Sequence, residues 1–179
     1  MVYIFLGTGF EEVEAITPID LLRRAGISVC TVGVTGKIVY GGHNIGVEAD
    51  ILIGEMDLTQ LEMIVLPGGL GGVASIRGCQ AAMDAIAFAH ENRRFVAAIC
   101  AGPTVLADLH ITDGKQATCY PGFEDTMKGA TYTAAKVTVD GNIFTACGPA
   151  AAWELGFTFV EHFCGTEKAD ELRQGMQFK

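Results

Sequence analysis

The chain has 179 residues, 50% hydrophobic and 18% charged, with 23 glycines, a balance that supports a buried core and excludes a disordered protein. Its 12 basic residues stand against 21 acidic ones, and the resulting net charge of -9 repels phosphate backbones and anionic lipid, so neither nucleic acid nor a membrane is an expected partner. The six cysteines lie 17 to 49 residues apart, with no Cys-x-x-Cys pair and no nearby His pair, which argues against zinc and a disulfide framework and for a reducing compartment.

The apolar start, Met1 to Leu6, has no cationic lead and soon reaches Glu11 and Glu12, unlike a secretory signal. No stretch approaches the roughly 18 uncharged apolar residues of a membrane span, so a cytoplasmic protein is expected. Val2 to Leu6 reads as a strand buried on both faces and ended by Gly7-Thr8-Gly9. Glu11 to Arg24 carries apolar residues at Val13, Ile16, Ile19 and Leu22, a helical beat closed by Gly26. Ile27 to Val34 is again β-branched and apolar, which completes a βαβ opening.

Residues 35 to 61 are irregular, and their glycines separate short apolar pieces that suit a hairpin and a connecting loop. Met63 to Leu66 reads as a third buried strand, stopped by Pro67-Gly68-Gly69, and Gln80 to Asn92 as a helix with Ala82, Met83, Ile86 and Ala89 on one face. Phe95 to Ile99 is the fourth parallel strand, and Gly102-Pro103 opens a helix through about Ala107. Strands are expected at Lys115 to Tyr120, Lys136 to Val139 and Ile143 to Ala146, the last two joined through Asp140-Gly141-Asn142, with closing helices at Ala150 to Phe163 and Lys168 to Met176. Without a repeat or linker, the expectation is one α/β domain over residues 1–179, doubly wound around a mostly parallel sheet.

In such sheets the functional crevice lies beyond the carboxyl ends of the strands, which brings together Gly7 to Glu14, Pro67 to Gly72 and Ala98-Ile99-Cys100-Ala101-Gly102. The last segment has the logic of a nucleophile elbow, with small residues letting a strand turn abruptly into a helix and Cys100 at the apex. A thiol at a helix N-terminus is expected to have a lowered pKa and to react as thiolate. Backbone N–H groups of Gly69 and Ala101 would form an oxyanion hole. Glu14, early in a helix whose start faces the same crevice, is a candidate partner, since a carboxyl beside a thiolate should have a raised pKa and move a proton, although spacing alone does not single it out from a partner of the helix dipole. Glu11 and Glu12 are expected to act as partners of the helix dipole.

Taken together, Gly9-Phe10-Glu11-Glu12-Val13-Glu14 with Pro18-Ile19-Asp20, Arg23-Arg24-Ala25-Gly26-Ile27, Val65-Leu66-Pro67-Gly68-Gly69, Ala97 through Pro103, and Gly148-Pro149 resemble the DJ-1/ThiJ/PfpI superfamily, and within it the DJ-1 subfamily. The resemblance runs in family order over almost the whole chain. It implies a flavodoxin-like sandwich, a homodimer, Cys100 as the reactive cysteine, Glu14 as its protonated partner, and Gly69 and Ala101 as backbone donors. It also implies a cytoplasmic, cofactor-independent and metal-free glyoxalase that converts 2-oxoaldehydes to 2-hydroxy acids, or a deglycase acting on glycated amines. A redox-responsive protective protein or chaperone sensing oxidation through Cys100 is the alternative.

Two departures from the family pattern bear on activity. Ala101 follows the cysteine where PfpI-type proteases have His, and Tyr120 stands where many DJ-1 relatives carry His, so no Cys-His peptidase dyad is expected. A phenol with a pKa of about 10 is a poor base but can hydrogen-bond substrate. Of the other histidines, His90, His110 and His162 are expected away from the strand ends. The resemblance places His43 near an arginine that reaches the neighbouring subunit's cleft in relatives and matches Arg24 to another anion-binding arginine there, so both are carried as candidate substrate-binding residues with Tyr120.

Overall fold

The apolar runs expected as strands are buried on both faces in the computed structural model, which describes residues 1–178. The elements in chain order are β1 (Val2–Leu6), α1 (Glu12–Arg24), β2 (Val29–Gly33), the hairpin β3 (Ile38–Tyr40) and β4 (Gly46–Glu48), β5 (Ile51–Leu52), β6 (Met63–Leu66), α2 (Leu70–Arg77) and α3 (Gln80–Glu91). They continue with β7 (Phe95–Ile99), α4 (Pro103–Asp108), β8 (Gln116–Ala117), β9 (Thr131–Tyr132), β10 (Val137–Asp140), β11 (Ile143–Ala146), α5 (Ala152–Cys164) and α6 (Thr166–Gly175). One seven-stranded sheet runs in the order β10-β11-β7-β6-β1-β2-β5, parallel throughout except for the β10–β11 hairpin.

Because side chains alternate across a sheet, each central strand feeds two cores. Val2, Ile4 and Leu6 of β1 join Met63 and Val65 of β6 and Ala97 and Ile99 of β7 beneath α1 and α5. Tyr3, Phe5, Ile64, Leu66, Val96 and Ala98 face the other way, toward α2, α3 and α4. The helix α6 packs on α5 through a smaller cluster built on Phe157, Val160 and Ala169. Among the described residues no helix is long and apolar enough to cross a membrane.

Chain direction puts the crevice at β1 and β6. The connection leaving β1 goes to α1 on one face, whereas that leaving β6 goes to α2 on the other, so their carboxyl ends part at a topological switch point. The helix α2 falls in residues where no element is expected from the sequence, and it has Gly71-Gly72 in its first turn. These glycines permit contact between the two crevice loops: a Cβ on Gly72 would stand 2.7 Å from Phe10 Cα, and one on Gly71 would stand 3.0 Å from Gly9 Cα. Two-residue β5 and β9 were also missed, being too short to show a period. The strand expected at Lys115 to Tyr120 shrinks to Gln116–Ala117. Beyond it, Thr118 donates its N–H to the Thr145 side chain and Tyr120 donates its N–H to the Cys100 carbonyl.

Phe144, 2% exposed, packs edge to face on Phe95 and Phe159 between β11 and α5. Phe144→Ala is expected to cost about 3–5 kcal/mol by loss of burial and creation of a cavity. Urea unfolding checks this: the midpoint should fall with the slope unchanged.

Candidate active site

The elbow at Cys100 is a strained turn held from both sides. Cys100 has φ of 63°, in the left-handed region that residues bearing a Cβ rarely occupy. Its N–H donates to the Ala146 carbonyl at 2.9 Å, its carbonyl accepts from Tyr120 N–H at 2.9 Å, and Gly102 N–H closes the turn on the Ile99 carbonyl at 2.8 Å. Gly102 admits the close pass, because a Cβ there would lie 2.7 Å from the Leu66 carbonyl oxygen. The side chain that results is half-buried and borders the cores on both faces of the sheet.

The structure brings Glu14 to this sulfur. Its carboxyl is wholly buried, and Oε2 accepts the Gly68 N–H at 2.7 Å. Oε1 is buried with no hydrogen-bond partner among the described residues. A Cβ on Gly68 would sit 2.6 Å from Glu14 Oε2 and 2.7 Å from Cys100 Cβ, so only glycine lets the two side chains meet. Gly69, with φ of 81°, turns the chain into α2 so that its N–H, like that of Ala101, lies near the sulfur and lowers the thiol's pKa.

Burial is the main cause of Glu14's pKa being raised to about 7, against the Gly68 N–H and the Cys100 contact, which lower it. Burial likewise pushes the Cys100 thiol up to about 12, followed by the charge and hydrogen bond of Glu14, while the Ala101 and Gly69 N–H groups oppose the rise. This corrects the expected lowered pKa. The helix after Cys100 has only six residues, and its N-terminus cannot outweigh a buried carboxylate beside the thiol. The pair is therefore one coupled proton-holding unit, in which ionising either group raises the cost of ionising the other.

A cleft of about 390 Å³ opens over the sulfur, lined by Glu11, Gly69, Cys100, Tyr120, Phe123 and Pro149 among others. Its walls are mainly apolar, and the Tyr120 ring packs over Gly148, where a Cβ would approach it to 3.1 Å. Of the expected residues, Cys100, Glu14, Gly69, Ala101 and Tyr120 thus come together. Arg24 does not. It lies at the far end of α1, about 15 Å along the axis from Glu14, and its guanidinium pairs with Asp20 at 2.7 Å. Phe123 and Glu11 went unread as cleft residues, Phe123 because nothing local distinguishes a loop aromatic that packs inward.

His43 sits in the β3–β4 loop and turns toward Glu12 rather than the sulfur. Its N–H and Nδ1 contact the two Glu12 oxygens, each at 2.8 Å, so Glu12 anchors the hairpin to α1 instead of acting as a simple dipole partner. Burial would raise the Glu12 carboxyl, but the bonds from His43 bring it below its ordinary value, while the Glu12 hydrogen bond raises His43. Glu11, Glu12 and His43 also present donor atoms within 4.8 Å of one another, close enough for a metal. With Glu12 already engaged, and with the positive end of α1 beneath, they form an ion-paired anchor. His90 and His162 lie within α3 and α5, and His110 pairs with Asp113, so none lines the cleft.

Residues 1–162 match the model of the DJ-1/PfpI family, and this chain belongs to that family. It is 34% identical over 176 residues to protein dj-1beta of Drosophila melanogaster, covering 97% of this chain and 94% of that protein. A deglycase of Pyrococcus abyssi is 31% identical over 162 residues, covering 89% of this chain and 97% of the relative. The solved structure of oxidized Toxoplasma gondii DJ-1 superposes with a TM-score of 0.93 at 29% identity, over 99% of this chain and 97% of that one. The flavodoxin-like, mostly parallel architecture is shared with these neighbours.

The raised Glu14 pKa has a thermodynamic sign. A folded value of about 7 against an ordinary 4.5 means that the native state holds the proton more tightly. This contribution is fully present below pH 4.5 and is lost as pH rises through about 7. Glu14→Gln is therefore expected to match wild type near pH 4 and to exceed its stability by about 3 kcal/mol near pH 9, read from urea midpoints at both pH values.

Proposed function

We propose that this protein is a cofactor-independent cysteine enzyme acting on reactive carbonyls, with conversion of a 2-oxoaldehyde to a 2-hydroxy acid as its reaction. The observation that carries the reading is the junction at Gly68, where an elbow cysteine meets a buried carboxyl with a pKa near neutrality. Glu14 as carboxylate accepts the Cys100 proton while sulfur adds to the aldehyde carbon, and the developing oxyanion lies near the Gly69 and Ala101 N–H groups. Glu14 then gives that proton to the oxyanion, which completes the hemithioacetal, and as carboxylate again it removes the proton from the former aldehyde carbon. Through the enediol the hydroxyl proton passes to the neighbouring oxygen, and Glu14 delivers its proton to the neighbouring carbon. The resulting thioester is hydrolysed by water, releasing the 2-hydroxy acid and the thiol. The oxidation and reduction are internal to the substrate, so the sequence balances without a cofactor.

An open cleft of about 390 Å³ exceeds a three-carbon substrate, and its apolar walls also suit a carbonyl adduct already attached to an amine. The deglycase name of the Pyrococcus relative supports this wider substrate class. Redox sensing by Cys100 is the second reading, favoured by the Gly69 and Ala101 donors beside the sulfur and by the oxidized state of the Toxoplasma neighbour. The expected homodimer is part of the proposal. The exposed Val13 and Ile16 of α1, with Ile45 of the hairpin, form an apolar groove suited to a second copy.

Lactate formation from methylglyoxal tests the main reading. Cys100→Ser should fall to background, and Glu14→Gln should lose about 10²–10⁴-fold in kcat/KM. In wild type, kcat/KM should rise as Glu14 ionises through about pH 7, a limb that Glu14→Gln should lack. Undiminished turnover by Cys100→Ser would eliminate the reading.

A further inference from the structure

The carboxyl ends of β7 and β11 set the backbone of a second cysteine beside that of the first. In their parallel register Ile99 stands opposite Ala146, so the next step along both strands places Cys100 beside Cys147. The ladder does take that step, because Cys100 N–H donates to the Ala146 carbonyl at 2.9 Å. Cys147 is tied on its other side by its own N–H to the Lys136 carbonyl at 3.0 Å. Backbone geometry across such a bond keeps the two α-carbons within about 7 Å and near the parallel-strand spacing of about 4.8 Å, a range that disulfides bridge.

The core cluster they border distinguishes this pair from the other thiols. Cys100 and Cys147 are both half-buried, and both pack against the core cluster beneath α1 and α5, which none of the other four cysteines touches. Cys30 lies on β2, with β1 and β6 between it and β7. Cys79 lies just before α3 and Cys164 ends α5. Cys119 follows the chain near Cys100 but is fully buried in a separate cluster around Met127. Cys147 immediately precedes Gly148 and Pro149, which border the cleft, so its position is tied to the same wall.

We propose that Cys147 is the resolving thiol for Cys100, so that this chain reduces hydroperoxides through a Cys100–Cys147 disulfide. The inference rests on the reading of Cys100 as the reactive nucleophile. Cys100 sulfur attacks the terminal oxygen of the hydroperoxide, the O–O bond breaks, and the departing oxygen takes up a proton to leave as an alcohol or, from hydrogen peroxide, as water. The Cys100 sulfenic acid then accepts attack by Cys147 sulfur: the S–S bond forms, the S–O bond breaks, and water leaves with the Cys147 proton. A dithiol reductant completes the cycle by exchange, becoming a disulfide as both cysteines regain their hydrogens. Each turn consumes one hydroperoxide and one dithiol and gives one alcohol, one water and one disulfide. Capture by Cys147 competes with over-oxidation of Cys100 to sulfinate, and therefore makes oxidation of this site reversible.

The test treats the full reduced chain with equimolar hydrogen peroxide, blocks remaining thiols by alkylation, and maps peptides by mass without reduction. The expected result is a linked Cys100–Cys147 peptide that dithiothreitol splits, and loss of that link in Cys147→Ser with accumulation of Cys100 sulfinate instead. A Cys119→Ser control should retain the link. Peroxide consumption in the presence of dithiothreitol should fall by at least about tenfold in Cys147→Ser after repeated cycles, as sulfinate builds up. Sulfinate on Cys100 in wild type with Cys147 still free to alkylate would overturn the pairing while leaving Cys100 as the reactive nucleophile, as would a Cys100–Cys119 link. Cys100 remaining unmodified while other thiols oxidise would overturn both. Peptide mapping in wild type requires no substitution, so a variant that folds poorly does not shield the proposal.

Discussion

A wholly buried carboxyl pressed against a thiol is the constraint around which the molecule is arranged. Glu14 has one backbone N–H and one sulfur for company, the Glu11 charge opposes its ionisation, and among the described residues no positive charge acts to hold it ionised. Desolvation sets the terms of the pair: whichever group is ionised raises the cost of ionising the other, so the unit holds a proton that can move between oxygen and sulfur. The rest of the site keeps those atoms close. Gly68 removes the Cβ that would separate them, Gly102 brings the elbow against the end of β6, and Gly69 turns a backbone donor toward sulfur.

Such an arrangement opposes stability at neutral pH, and the fold compensates around it. The left-handed backbone of Cys100 is over-determined by hydrogen bonds to Ala146, to Tyr120 and within its own turn. Beneath it, the double-sided apolar core of β1, β6 and β7 supplies the rigidity. The Glu12–His43 contact performs a different task a short distance away, fastening an exposed hairpin to the start of α1. Two adjacent segments of one helix thus hold carboxyls of opposite character: at Glu12 the partners outweigh burial, and at Glu14 burial outweighs the partners.

Carbonyl chemistry and thiol oxidation are compatible demands on this site, since both need sulfur exposed enough to meet a small electrophile and a nearby group able to take its proton. The deciding difference lies in what happens after attack. A carbon adduct needs proton transfer at carbon, for which Glu14 is close; an oxygen adduct needs a second thiol, for which the register of β11 provides Cys147.

The order of elements was legible in the residues because apolar runs such as Val2 to Leu6 and Met63 to Leu66 are long enough to declare a strand buried on both faces, and Asp140-Gly141-Asn142 declares a hairpin. Local pattern assigned nothing at α2, whose first-turn glycines are needed for close approach to Phe10 and Gly9. Arg24, given a role by resemblance alone, lies at the far end of α1 from this chain's own cleft and pairs with Asp20. The sequence by itself determined the parallel α/β framework and, through motifs in family order, the family, and it singled out Cys100 as a candidate at the elbow, because these depend on residue type and order along the chain; Glu14 was named by the resemblance. Only tertiary structure decided the sign of the thiol's pKa shift, the pairing of Glu12 with His43 and the neighbourhood of Cys100 and Cys147. Desolvation and cross-strand register arise between segments far apart in the chain, and no window of sequence contains them.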